Sequence, residues 1–240
     1  GTYFGVGMTA NYIYTIVGNG TGAYGGDGGA ATAAQIKTPY GVTVDGSGNV
    51  YIADYGNHRI RFVPVADGTY FGVGMTANYI YTIAGTGTAG SSGDGGLATL
   101  ALMNQPLGIS LDGEGNVYII AESNYSVRFI PRTSGTYFGV SMTANYIYKI
   151  VGTGSAGSTG DGGLATSGKL YFPHGVSVDV GGNIYIADNY NSRIRFVPKT
   201  DGTYFGQSMT GNYIYSIGGT GSIFYDGENA TATGKTIYHP

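Results

Sequence analysis

GVTVDGSGNVYIADYGNHRIRFVP, residues 41–64, reads as three short strands joined by tight turns. GVTVD from 41, NVYIAD from 49 and RIRFVP from 59 are rich in β-branched and aromatic residues and bounded by Gly, Asp and Asn. No stretch of the chain holds a helical period long enough to compete. DGSGN at 45, and its counterparts DGEGN at 112 and DVGGN at 179, close a hairpin: Asp hydrogen-bonds backbone two residues on, and Gly supplies positive φ.

The same plan recurs with a period of 67 residues. GTYFGVGMTANYIYTI at 1–16 returns unchanged at 68–83, as GTYFGVSMTANYIYKI at 135 and as GTYFGQSMTGNYIYSI at 202. Residues 1–240 thus read as one repeat region with units starting at 1, 68, 135 and 202, the last incomplete. All seven prolines fall at two positions of the unit: Pro39, Pro106, Pro173 and Pro240 at one, Pro64, Pro131 and Pro198 at the other. NYIYTI at 78 supplies a fourth strand. A twisted four-stranded antiparallel sheet of this size cannot bury both faces alone, so it must stack on its copies, as propeller blades do. The expected fold is all-β, with three complete blades, at about 41–84, 108–151 and 175–218, plus an orphan outer strand at 11–16.

Composition narrows the function. Only 10% of the 240 residues are charged, against about 25% in an ordinary soluble domain. Tyr, Thr, Ser, Asn and bare backbone must wet such a surface, which points outside the cell, with an export signal expected upstream of residue 1. Cysteine is absent, which neither requires nor excludes an oxidising compartment. Eleven basic residues are scattered among fourteen acidic ones, so no positive field gathers phosphates and nucleic acid is not an expected partner. No apolar run is long enough to predict membrane insertion.

Charged positions suggest bracing. Asp54 with Arg59 and Asp188 with Arg193 are replaced together, by Ala121 and Ser126, in the second unit, which predicts an ion pair across strands two and three. Arg61, Arg128 and Arg195 persist in every unit and are expected to have other partners, such as backbone carbonyls. GTGTAG at 85 and GTGSAG at 152 match a dinucleotide-binding pattern, but no helix follows them, so they read as loops. GDGG at 26, 93 and 160 repeats Asp27, Asp94 and Asp161, with Glu228 in the fourth copy; one carboxylate per loop is too few for calcium and reads as a turn or cap. His58, His174 and His239 occupy three different unit positions. Asn19, Asn124 and Asn229 begin glycosylation-type triplets, which chance also produces in so Asn- and Thr-rich a chain.

GDGGLAT, Pro173, GVSVD, GGNIYIAD, SRIRFVP and YIYSIGGTG, in order from 160 to 221, closely resemble the NHL repeat of bacterial secreted and surface proteins. The resemblance covers essentially the whole chain and implies four-stranded blades with strand one nearest the axis. The unit is longer than is usual for the family, through the GTGTAGSSGDGG loop and the GTYFGVGMT insertion. Enzymes on this scaffold gather metal ligands from several blades; three scattered histidines and near-identical blades predict neither a catalytic site nor a cofactor.

Rings of this type hold about four to eight blades, so three blades and a spare strand predict chains that associate, a window on a longer array, or an open stack. The insertion is expected to be a hairpin that turns near Val-Gly-Met and returns as the outer strand. Its aromatics, Tyr3, Phe4, Tyr70, Phe71, Tyr137, Phe138, Tyr204 and Phe205, are expected either to seal the neighbouring blade or to contact another chain, a cell-surface protein or carbohydrate. The function expected is a non-enzymatic, extracellular repeat scaffold for self-assembly, adhesion or protein interaction, with a monomeric ligand-binding propeller or a metal-dependent propeller hydrolase or lyase as rivals.

Overall fold

A computed structural model describes residues 1–221; Glu228, Asn229, His239 and Pro240 lie outside the described residues. Three blades follow one another. In the first, the strands Pro39–Val44, Val50–Asp54, Arg59–Val63 and Tyr79–Ala84 pair antiparallel in sequence order. The second blade runs from Pro106–Leu111 to Tyr146–Val151 and the third from Pro173–Val178 to Tyr213–Gly218, with the same order. Single turns of 3-10 helix join strands two and three, and another (Ala31–Ala33, Ala98–Leu100, Ala165–Ser167) precedes strand one of each blade; otherwise these sheets and small hairpins make up the described regular structure.

The Asp-Gly turns form as their chemistry requires. Asp45 Oδ1 accepts the N–H groups of Ser47 and Asn49, both at 3.0 Å, and Gly48 takes φ +90°. Asn49, buried, donates to Asp45 Oδ2 and accepts the Val65 N–H at 2.9 Å, tying the first turn to the end of strand three. Asn116 and Asn183 repeat this with Arg132 and Lys199. Across strands two and three, Tyr51 meets Phe62 edge-on at 4.8 Å.

Blades stack face to face. Tyr51, Ala53, Ile60 and Phe62 on one face of the first blade share a core with Val117, Ile119, Ile130 and Ile147 of the second. Tyr118, Ile120, Val127 and Phe129 meet Ile184, Ile186, Val197 and Ile214 of the third in the same way. The innermost strands also touch, and they do so through glycine: a Cβ on Gly41 would lie 2.4 Å from the Leu107 carbonyl, and one on Gly108 would lie 2.8 Å from that of His174.

Two features differ from expectation. Each blade has a fifth, two-residue strand, Gly29–Ala30, Gly96–Leu97 or Gly163–Leu164, paired outside the fourth. The outer edge is therefore covered by the incoming connection rather than left open. Residues 11–16 form no strand, and Ile13 is 99% exposed while its equivalents Ile80, Ile147 and Ile214 are fully buried. A strand needs a hydrogen-bonding neighbour, and the described residues provide no third strand beside this segment.

Gly175 provides an internal control, since an added Cβ there meets only the Ala187 side chain at 3.5 Å. Gly41→Ala and Gly108→Ala should each cost about 1–3 kcal/mol through overpacking, and Gly175→Ala markedly less. Urea-unfolding midpoints of the three variants measure the order.

Candidate interaction surface

The inserted hairpin is built on a two-residue turn. Gly68–Tyr70 pairs with Val73–Met75, so the turn residues are Phe71 and Gly72, both at positive φ, rather than Val-Gly-Met. Positive φ suits Gly but strains a bulky side chain. Packing offsets the strain: Phe71 lies edge-on 5.5 Å from Phe62, and Tyr70 lies 5.2 Å from the same ring. Tyr137 and Phe138 pack on Phe129, and Tyr204 and Phe205 on Phe196, at 5.2–5.4 Å. The hairpin then reaches the next blade, whose Arg132 guanidinium lies 5.0 Å over Phe71 and 5.5 Å over Tyr70. On the return, the outer-strand Tyr81 hydroxyl accepts the Thr76 N–H at 2.8 Å and holds the hairpin base.

Exposure of the hairpin phenylalanines follows whether a next blade is present. Phe4, Phe71 and Phe138 are half-buried, Phe4 against the first blade's core, whereas Phe205 is 59% exposed. These residues therefore belong first to the seam between blades, the sealing role among the two expected. Tyr3, at 63% exposure, stands outside that seam.

The ion pairs are shifted by two residues. Asp54 and Arg59 face each other in register, yet the Asp54 carboxylate pairs with Arg61 at 3.2 Å. Arg59 instead lies 3.6 Å over the Tyr24 ring and donates to the Thr86 carbonyl. Likewise Asp188 pairs with Arg195 at 3.1 Å, while Arg193 donates to the Thr220 carbonyl. The physical reason is burial: Arg59 and Arg61 share the face of Asp54, but Arg61 is fully buried, where an unpaired guanidinium is untenable, whereas the half-buried Arg59 reaches Tyr24 and Thr86.

Each buried arginine also holds the loop that leads into its own blade. Arg61 pairs with Asp27 and donates to the Gln35 and Gly25 carbonyls. Arg195 pairs with Asp161 at 2.7 Å and donates to the Lys169 carbonyl. In the second blade, where Ala121 replaces the inner carboxylate, Arg128 turns two nitrogens, Nε and Nη2, onto Asp94 and donates to the Leu102 and Ser92 carbonyls. The GDGG aspartates are thus more than turn formers. Their partnership was readable as co-persistence, since Asp and Arg recur together in a chain poor in charge.

His58 and His174 lie in different blades; His58 Nδ1 accepts the Gln105 N–H at 3.2 Å. Among the described residues no group of three or more His, Cys, Asp or Glu converges as metal ligands would. Burial, then Lys37 and Arg59, hold the His58 imidazole below its ordinary range.

Arg61→Met should cost about 3–5 kcal/mol, because it strands the fully buried Asp54 carboxylate. Arg128→Met should cost less, since its partner Asp94 is a third exposed. Chemical denaturation of both variants gives the comparison. For His58 the folded form resists protonation more than the unfolded chain does. Its contribution to stability is present above about pH 6.5 and is lost as pH falls through the lowered folded value. The drop in urea midpoint between neutral and mildly acidic buffer should be smaller in His58→Asn than in the parent chain.

Comparison with known proteins follows the geometry. The NHL repeat profile matches residues 38–61 and 170–195, each spanning the inner strands of a blade. Teneurin-1 of Gallus gallus is 32% identical over 136 residues, 52% of this chain and 5% of teneurin-1. An auxiliary nutrient binding protein from Bacteroides ovatus superposes with a TM-score of 0.51 at 13% identity, over 86% of this chain and 43% of that one. A Bacteroides thetaiotaomicron protein of unknown function gives a TM-score of 0.48 at 20% identity, over 66% and 35%. The chain thus spans less than half the length of each of these proteins, and the likeness to the Bacteroides ovatus structure is one of fold. Two of this chain's three blades carry a segment that matches the NHL repeat, and all three share the four-stranded antiparallel order of propeller-type blades.

Proposed function

We propose that the chain is a non-enzymatic, extracellular repeat scaffold whose blades extend by docking on further blades of the same kind. The observation carrying this reading is the contrast between equivalent faces. Tyr51, Ala53 and Ile60, and likewise Tyr118, Ile120 and Val127, are buried by the following blade, whereas Tyr185, Ala187 and Ile194 are half-exposed and Phe205 is open. At the other end Val42 and Val44 are 65% and 59% exposed, while their equivalents Ile109, Leu111, Val176 and Val178 pack on the preceding blade. The two open faces are complementary, because the structure contains their union twice.

A second copy would supply the missing half in a head-to-tail contact, which generates a ring or a filament according to whether the rotation closes. Residues 1–17 cover part of the receiving face through Phe4, Ile16 and Val17, so docking displaces them. Low charge supports the same reading, since few charges must be desolvated as the faces meet. An extracellular setting suits the Tyr- and Thr-rich surface.

Light scattering after size exclusion tests the reading. The expected result is mass that rises with concentration above the 24.8 kDa of one chain, falls to that value in Ile194→Asp, and rises further when residues 1–17 are deleted. A folded monomer at every concentration overturns self-association.

A further inference from the structure

The copies are nearly alike, and where they differ is informative. Unit positions 37, 38 and 40, and 55, 56 and 58, carry a different residue in each of the three complete copies, while the Asp-Gly turns at the other end of the inner strands keep their Asp and Asn. The two sets are separated in sequence by the first hairpin, yet they meet in space. The backbone bonds Gly56 N–H to Lys37 C=O, Glu122 N–H to Gln105 C=O and Tyr190 N–H to Tyr171 C=O join them in successive blades. Because the innermost strands of neighbouring blades pack together, these ends collect beside the axis at one pole.

A continuous line of contacts crosses the three blades there. Tyr40 lies edge-on to Tyr55 at 4.8 Å. The Tyr55 hydroxyl donates to the Glu122 carboxylate, and burial together with that charge pushes the phenol up to about 12. His174 Nε2 lies 3.2 Å from Glu122 Oε1, and Asn189 donates to His174 Nδ1 at 2.9 Å, which leaves the Nε2 proton for the carboxylate. Beyond Asn189, Tyr190 packs on Phe172 at 4.9 Å. The line begins and ends in exposed rings, Tyr40 at 60% and Tyr190 at 53%.

We infer that this pole is a binding site for a neutral oligosaccharide laid across the three blades, with Tyr40 and Tyr190 as stacking platforms, Glu122 and the half-exposed His174 as its hydroxyl partners, and the buried Asn189 holding the His174 ring in place. Among these positions Lys37 and Glu122 are the formal charges and they cancel, so the pole offers no net ionic attraction for a charged ligand. Residues 55–57, 122–124 and 189–191 lie on 3-10 turns, not on a strand edge, so an extended peptide finds no backbone ladder to join. A sugar ring matches what is present: its C–H face suits an aromatic platform, and its hydroxyls can donate to the Glu122 carboxylate. The inference does not rest on assembly, since every residue of the line belongs to one chain.

The test uses the intact chain with cello-, malto-, xylo- and chito-oligosaccharides, by calorimetry and by amide shift mapping. At least one series should bind and move the amides of residues 40, 55, 122, 174, 189 and 190. Tyr40→Ala and Tyr190→Ala should each weaken it by about tenfold, as expected for one lost stacking contact, while Tyr12→Ala, exposed elsewhere, leaves it unchanged. Shift mapping on the parent chain stands even if a variant folds poorly. The inference fails if no series binds at millimolar concentration, if shifts map to another surface, or if a neutral peptide binds the pole and the sugars do not.

Discussion

A guanidinium sealed inside each blade is the constraint on which this structure depends. Arg61, Arg128 and Arg195 are among the largest fully or almost fully buried side chains of the molecule, and burying a positive charge without compensation is prohibitive. Compensation comes from Asp54 or Asp188 within the first and third blades, and in all three from the loop that leads into the blade, through its aspartate and its backbone carbonyls. Folding a blade and seating its incoming connection are therefore coupled. The glycine-rich loop, which has little apolar surface of its own, acquires one position because its aspartate and carbonyls take guanidinium donors that the blade itself leaves unpaired.

That coupling explains the order of the array. Once seated, the connection adds the short fifth strand, covers the outer edge and delivers the chain to the inner strand near the axis. Covering the edge directs association to the faces, where Tyr51, Ile60 and Phe62 and their copies require a neighbour. Sideways pairing through strand edges is suppressed. The aromatic hairpin has the same purpose one layer out: Phe71 accepts a strained backbone because its ring closes the seam above Phe62 and beneath Arg132. Repetition thus fixes how blades join, while the axial pole, where the copies diverge, is the place free to specialise.

The parts of this arrangement legible in the sequence were those set by local chemistry. Strands of five or six β-rich residues, the Asp-Gly turns and the prolines at strand ends located all three blades, because each signal acts within a few residues of itself. Interactions that depend on the third dimension were not legible. Gly29–Ala30 has no strand propensity and pairs only because Arg61 and the preceding turn place it there. The Phe71–Gly72 turn lacks the usual Asn-Gly signature, and its aromatic residue is held by tertiary packing. Adjacent charges at 54 and 59 suggested a pair, and the in-register backbone agrees, but the deeper burial of Arg61 gave it the carboxylate instead. NYIYTI at 11–16 has the letters of a strand and lacks its neighbour.

Hydrogen exchange at single amides tests the arginine-loop coupling most directly. In the parent chain the Gly28 and Ala31 amides, bonded to the Ile80 and Asn78 carbonyls, report the seated connection, and those of strands two and three report the blade. With Arg61→Lys, which keeps the charge but loses the planar fork of donors, the account predicts that Gly28 and Ala31 exchange much faster while the inner strands keep most of their protection. Unchanged protection at the loop, or equal loss through the whole blade, would contradict it.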